Sequence, residues 1–383
     1  MITIIKNGEV YAPEPLGIKS VLIVDGKIAK IGEIDESLYQ KLDLPVEVID
    51  ASGDVVVPGF IDPHVHLIGG GGEGGFATRT PELQLTDLTT AGITTVVGLL
   101  GTDGTTRHMT SLLAKARGLE EEGVTTYIYT GNYHVPTPTI TGSVKDDVIL
   151  IDKVIGAAEI AISDSRGAQP SLHELAKLVA EARIGGLLSK KAGVTHFHTG
   201  PGKEKLGLLH QLLEKFEIPP IQLYATHITR SQELVDDAIA LANKGSYVDI
   251  TCSKSTPEWI AYFKKHGGDL SHLTLSSDGN GSLPVFDDKG QFIGLGVASP
   301  YTLFEQAMET VRTQDLRLEE VLPLITSNTA TVLKLTSKGR LAENYDADVV
   351  VMQKGTYALR HVYAKGKRMV EEGLAVVKGT FEK

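Results

Sequence analysis

Between residues 55 and 341, short runs of β-branched and apolar residues recur, each followed by a stretch patterned as helix. This alternation limits the fold more than any other feature of the chain. The runs fall at 55–60, 94–99, 125–129, 159–163, 195–198, 221–227, 247–251 and 273–277. Helical patterns at 172–184, 207–216, 231–243 and 303–314 lie between or after them. Eight strand–helix repeats over about 280 residues fit an α/β chain closed into a (β/α)8 barrel of ordinary size. An open doubly wound sheet is the alternative, but no glycine-rich dinucleotide fingerprint follows the first run.

The two ends read differently. Residues 2–5, 20–24, 27–31 and 46–50 form short strand patterns, with Asp25-Gly26 as a hairpin signal between two of them. The last forty residues are similar, with strand patterns at 347–352, 361–364, 368–370 and 374–377. Neither end is large enough to bury a core alone. Residues 1–54 and 342–383 are therefore expected to combine as a small β-sandwich beside a barrel of residues 55–341. Cys252 is the only cysteine, which rules out an internal disulfide. It reads as a small buried hydrophobe inside a strand. The net charge of −11 argues against a nucleic-acid partner, which would want a basic face. No stretch reaches the ~18 apolar residues of a membrane span, and the N-terminus lacks the basic start of a signal peptide. No membrane association and a cytoplasmic location are the resulting expectations.

Chemistry concentrates at the ends of the predicted barrel strands. His64-Val65-His66 closes the first, and His196-Phe197-His198 closes a later one. Residues i and i+2 of a strand share a face, so each pair can aim two imidazoles at one centre. With 12 histidines in 383 residues, about 0.4 such pairs are expected by chance, so the pairs alone are weak evidence. Placement strengthens them, because this architecture keeps its active site at one end of the strands. His227 and Asp278 end two further runs, and Glu159 begins another. Nitrogen and oxygen ligands without thiolate suit zinc, with manganese or cobalt as other divalent choices. The run Gly69-Gly70-Gly71-Gly72-Glu73-Gly74-Gly75 reads as a mobile active-site loop.

Val57-Pro58-Gly59-Phe60-Ile61-Asp62-Pro63-His64-Val65-His66 resembles the first-strand signature of the metal-dependent amidohydrolase superfamily. The order His-x-His, acid, His, His, Asp is also that superfamily's. Further motifs carry the likeness to the isoaspartyl (β-aspartyl) dipeptidases. They are the loop around Glu73, Gly98-Leu99-Leu100-Gly101-Thr102-Asp103, Tyr133-His134-Val135-Pro136, Thr139-Ile140-Thr141-Gly142-Ser143-Val144 and Ser276-Ser277-Asp278-Gly279-Asn280-Gly281-Ser282. The resemblance covers nearly the whole chain.

It implies a zinc-dependent dipeptidase with two cations. His64 and His66 would hold the first with Asp278, His198 and His227 the second, and a carboxylate would bridge them. A metal-bridging hydroxide would attack the isopeptide bond, with Asp278 as general base and then acid. Tyr133 would stabilise the oxyanion. Glu73 would pair with the substrate's α-ammonium, Arg166, Arg230 and Ser282 would hold its α-carboxylate, and Thr102 would join them in binding substrate. A symmetric homo-oligomer is implied too, with an octamer among the forms to expect.

One position departs from the family. The bridge there usually comes from a carboxylated lysine, but residues 155–166 contain none. The alignment places Glu159 at the bridge, with about one extra residue before it. A Glu carries the same O–C–O group on a shorter arm, and a β-bulge would move its Cα inward. A two-metal site bridged by Glu159 is therefore expected, a single-metal or weakened site being the alternative. His196 is expected to support the ligands rather than bind metal. Two rival functions stay open: a related amidohydrolase acting on an N-acyl amino acid or a cyclic amide, and a non-catalytic scaffold with this fold.

Overall fold

The computed structural model describes residues 2–41, 45–286 and 292–383. Eight parallel strands pair in chain order: Phe60–Val65, Ile93–Gly98, Thr125–Thr130, Val154–Ile162, Val194–Thr199, Leu223–Thr226, Tyr247–Thr251 and Leu273–Ser276. The last returns to the first through a parallel bridge between Val65 and Gly279, which nearly closes the barrel. Across the same seam, the backbone N–H and hydroxyl of Ser277 both donate to Asp62. Side chains alternate along the strands and feed two cores. Phe60, Val96 and Ile128 pack outward with the helices, while Ile61, Val97, Tyr129, Tyr224 and Tyr247 belong to a separate inner cluster.

The first predicted barrel strand needs correction. The run 55–60 divides at Gly59, so that Asp54–Pro58 belongs to the terminal sheet and the barrel begins with Phe60–Val65. A Cβ on residue 59 would lie 2.3 Å from Thr94 Oγ1 and 2.9 Å from Asp348 Cβ, so only glycine lets the chain pass between the two sheets. A continuous apolar run hides this, because both halves are buried.

Strands from both chain ends form one nine-stranded sheet. Ile2–Tyr11 pairs with Val46–Asp50 along its first half and with Asp54–Pro58 further on, which splits the sheet into two arms. Asp54–Pro58 then pairs with Val349–Gln353 near the other end of the chain. Ile5, Val21 and Ile28 from one arm share a buried core with Val56, Val349 and Tyr363 from the other. Asp25 and Gly26 take φ of 49° and 76°, the left-handed pair an Asp-Gly hairpin requires.

Helix Leu172–Ser189 starts at a capping box in which Ser171 and Glu174 satisfy each other's backbone N–H. The sequence pattern ends at residue 184, yet the helix continues through Gly185 and Gly186. A Cβ on Gly185 would sit 2.8 Å from Val148 Cβ in helix Val144–Leu150, and close helix packing outweighs glycine's poor propensity. An unforeseen antiparallel ribbon, Ser282–Phe286 with Phe292–Val297, follows the last barrel strand. Among the described residues no helix is long and apolar enough to cross a membrane.

Candidate active site

Six side chains converge at the carboxyl ends of the barrel strands. His64 lies near the end of the first strand and His66 just past it; His198 sits one residue before the end of the fifth. His227 and Asp278 follow the sixth and eighth strands with φ of 61° and 53°, a left-handed conformation that His and Asp adopt more readily than most residues.

Glu159 reaches the same centre through a bulge. Thr195 pairs with Ala157 and Phe197 with Ile160, so two residues, Ala158 and Glu159, stand opposite His196 alone. A bulge at this position is what the sequence reading expects for Glu159. Ala157 and Ile160 pack outward with the helices while Ala158 joins the inner cluster, which leaves Glu159 turned inward beside it. Its Oε1 lies 2.6 Å from His198 Nδ1, 3.0 Å from His227 Nε2 and 3.7 Å from His64 Nε2. Asp278 Oδ1 lies 3.1 Å from His66 Nε2 and 3.4 Å from His64 Nε2.

The donor set fits divalent cations. Three groups have ligand atoms within 4.8 Å of one another: His64, His66 and Glu159; Glu159, His198 and His227; His64, His227 and Asp278. Glu159 belongs to the first two. His64 Nε2, Glu159 Oε2 and Asp278 Oδ1 are buried and make no hydrogen bond of good geometry, although buried polar atoms rarely go without one. Supporting contacts orient the rings: His64 Nδ1 meets His196 Nε2 at 2.9 Å, and His227 Nδ1 meets Thr251 Oγ1 at 2.6 Å. His196 thus contacts His64 on the nitrogen turned away from Glu159 and Asp278.

Electrostatics point the same way. Burial would raise the Glu159 carboxyl, but His64, His198 and His227 hold it well below the usual carboxylate range. Asp278 is held low against burial by His64 and His66. Burial would lower His64, yet Glu159 and Asp278 push it up to about 9. His227 is drawn down to about 3 by burial and by neighbouring His198. Two carboxylates therefore draw positive charge into the centre, as a proton on His64 or as a cation in its place.

A cavity of about 440 Å³ opens beside this cluster, and Glu73, Thr102, Tyr133, Arg166, Arg230 and Ser282 all line it. Glu73 Oε1 accepts from Thr102 Oγ1 at 2.9 Å and lies 3.4 Å from Arg166 Nη1. The Tyr133 hydroxyl lies 2.7 Å from His198 Nδ1; burial and then Glu159 raise it well above the usual phenol value, so it remains an O–H donor. Arg230 Nε donates to the Thr199 carbonyl at 2.8 Å.

Two findings differ from the sequence reading. Cys252 follows strand Tyr247–Thr251 rather than lying inside it, and it lines the cavity while remaining 7% exposed. The fork of Arg166 is engaged by Asp164, Nε to Oδ1 at 3.0 Å and Nη2 to Oδ2 at 2.8 Å. The sequence reading gave Asp164 no role. Its only local signal was an acid just past a barrel strand, two residues before an expected substrate arginine.

The amidohydrolase family model matches residues 55–370. A solved structure similar to this one over 98% of both chains, with 44% identity and a TM-score of 0.90, is the β-aspartyl dipeptidase of the thermophilic keratin-degrading Fervidobacterium islandicum AW-1 in complex with β-Asp-Leu dipeptide. The dihydroorotase of Lactobacillus johnsonii is 27% identical over 92% of this chain and 89% of its own length. The D-hydantoinase of Geobacillus stearothermophilus is 47% identical over 68 residues, a match that spans 18% of this chain and only 13% of that protein.

Proposed function

From the premise that this chain belongs to the amidohydrolase family, we propose that it hydrolyses the isopeptide bond of β-aspartyl dipeptides using two divalent cations, zinc first among them. The observation that carries this reading is the charge pattern of one cavity. Glu73 stands with Arg166 and Arg230 beside the histidine–carboxylate cluster. An acid and two guanidiniums suit a substrate bearing both an ammonium and a carboxylate. The similarity to a dipeptidase in complex with β-Asp-Leu supports the same choice.

His64, His66 and Asp278 would hold one cation, His198 and His227 the other, with Glu159 shared between them. When bound, such ions supply Lewis acidity and bring the pKa of water near neutral. Glu73 then holds the α-ammonium while Arg166, Arg230 and Ser282 hold the α-carboxylate, which fixes the scissile amide over the cluster. Thr102 keeps the Glu73 carboxylate aimed through its hydrogen bond. Asp278, ionised at rest, accepts a proton from the attacking water and passes it to the leaving amine. The Tyr133 hydroxyl donates to the oxygen on which charge develops. A homo-oligomeric, cytoplasmic enzyme is the setting this reading expects, and light scattering on the purified protein checks the first part.

A cyclic amide such as dihydroorotate is the second reading, favoured by the similarity to the Lactobacillus dihydroorotase. It leaves the pairing of Glu73 opposite two arginines without a use. Zinc-loaded protein should turn over β-Asp-Leu in preference to N-acetyl-leucine, dihydroorotate and hydantoin. Turnover of a cyclic amide alone would replace the proposal with the second reading, and a metal-free protein inert toward all four would favour a scaffold.

A further inference from the structure

We propose that Asp164 is a positioning residue that joins the metal centre to substrate binding: it sets the tautomer of His198 and the aim of Arg166 together. This rests on the two-cation dipeptidase reading above. Asp164 follows the fourth barrel strand, Val154–Ile162, and is 5% exposed. Both its oxygens are fully engaged. Oδ1 accepts from the Arg166 backbone N–H at 2.8 Å and from Arg166 Nε at 3.0 Å. Oδ2 accepts from Arg166 Nη2 at 2.8 Å and lies 3.0 Å from His198 Nε2.

Asp164 supplies the acceptor on the Nε2 side of His198, and so favours the tautomer that keeps a lone pair on Nδ1. A neutral imidazole has one donor nitrogen and one acceptor. Nδ1 faces Glu159 and is the nitrogen a cation would use; Nε2 faces away from it. Arg166 Nη2 and Arg230 Nη2 lie 3.1 and 3.4 Å from Nε2. Two cations there would favour a lone pair on Nε2 and leave the proton on Nδ1, which blocks ligation. Glu159 Oε1, 2.6 Å from Nδ1, pulls the proton the same way until a cation engages that oxygen, whereas the Tyr133 hydroxyl, 2.7 Å away, can donate to Nδ1. A carboxylate only accepts, so Asp164 opposes that pull from the Nε2 side. It holds the proton on Nε2 and leaves Nδ1 open. The fold makes room for it: a Cβ on Gly200, two residues after His198, would come within 2.5 Å of Asp164 Cβ.

The same carboxylate spends the Nε and Nη2 edge of Arg166 and leaves Nη1 toward the cavity, 3.4 Å from Glu73. Asp164 thereby presents one arginine nitrogen to substrate instead of a free fork. The Arg166 guanidinium also lies over the Tyr133 ring, 5.4 Å from its centroid, which limits its other orientations.

The test uses the full-length, metal-loaded protein with Asp164→Asn, Asp164→Glu and Arg166→Met. Metal retention against a chelator and the visible spectrum of the cobalt-substituted protein are read before any turnover. Asp164→Asn should weaken one of the two cations about 10–100-fold and shift the cobalt spectrum, with Asp164→Glu recovering part of both. Arg166→Met should raise KM for β-Asp-Leu while keeping both cations. Asp164→Asn should show both defects. Parent-like metal affinity and an unchanged cobalt spectrum in Asp164→Asn would overturn the proposal. If Asp164→Asn does not fold, Asp164→Glu decides by the same spectrum, a shift supporting and a superposition refuting. A parent that binds two cations without cleaving β-Asp-Leu would sink the substrate assignment alone, since the metal measurements stand without it.

Discussion

The barrel buries ionic clusters at both of its ends, and they are built on opposite principles. At the amino end, Lys338 Nζ lies 2.6 Å from Asp348, 2.9 Å from Asp346 and 2.7 Å from the Thr125 hydroxyl. Lys27 adds a second cation to Asp346. Positive and negative charge meet there in hydrogen bonds, joining the third barrel strand to the terminal sheet. At the carboxyl end, two carboxylates among His64, His66, His198 and His227 leave His64 Nε2, Glu159 Oε2 and Asp278 Oδ1 without hydrogen bonds. A cluster that satisfies itself holds the fold together. One that leaves lone pairs converging is poised to take something from solution.

Substitutions should separate the two ends. Asp278→Asn should cost on the order of 10²–10⁴ in kcat while the melting temperature stays near the parent's. A large loss of stability at parent-like kcat would make Asp278 a structural residue like Lys338. Lys338→Met strands the buried Asp348 carboxylate, leaves Asp346 only its half-exposed partner Lys27, and should destabilise by about 3–5 kcal/mol, with kcat per folded molecule unchanged. A denaturant titration showing less than about 1 kcal/mol would remove the contrast from the amino-end side.

Acid should also tell them apart. Against burial, Lys338 and Lys27 lower the Asp346 carboxyl, so its stabilising contribution is present above the unfolded value near 4 and fades only below it. Against burial, Asp348 and Asp346 raise Lys338, so its contribution is complete below about 10.5 and fades above that. The proposed metal ligands instead must be deprotonated to bind, and Glu159 and Asp278 favour a proton on His64, pushed up to about 9. Lowering the pH from about 8 to about 5 should therefore release metal while near-ultraviolet circular dichroism stays native. Metal loss and unfolding in one transition would contradict this.

The smallest effect concerns Cys252, which lines the cavity. Burial and then Asp249 push its thiol well above the ordinary value, so little thiolate exists at neutral pH. Iodoacetamide should modify it more slowly in the native protein than in urea, and equal rates would show that the cavity wall opens freely.

The carboxyl end was more legible in the sequence than the amino end. Histidines two apart at strand ends, followed by His227 and Asp278, announce themselves because such residues are costly to bury without purpose. The bulge at Glu159 was expected from the short reach of a glutamate, and the strand register carries one there. Asp164 carries no legible role in the sequence, because its meaning depends on His198, thirty-four residues away in sequence and 3.0 Å away in space. Gly59 as the crossing between sheets depended on Thr94 and Asp348, which only tertiary packing brings together. The ribbon Ser282–Phe286 with Phe292–Val297 was missed although two apolar runs flank Asp287-Asp288-Lys289-Gly290 in the sequence. Two apolar runs flanking a turn-rich segment are the usual hairpin signal.

The proposed two-cation centre requires the Glu159 carboxylate to serve both positions at once. Native mass spectrometry of zinc-loaded parent and Glu159→Gln, with the charge-state distribution as a check on folding, tests it directly. Two zinc ions are expected per parent chain and at most one in the folded variant. A folded variant that keeps both ions, or a parent that takes up only one, would contradict it.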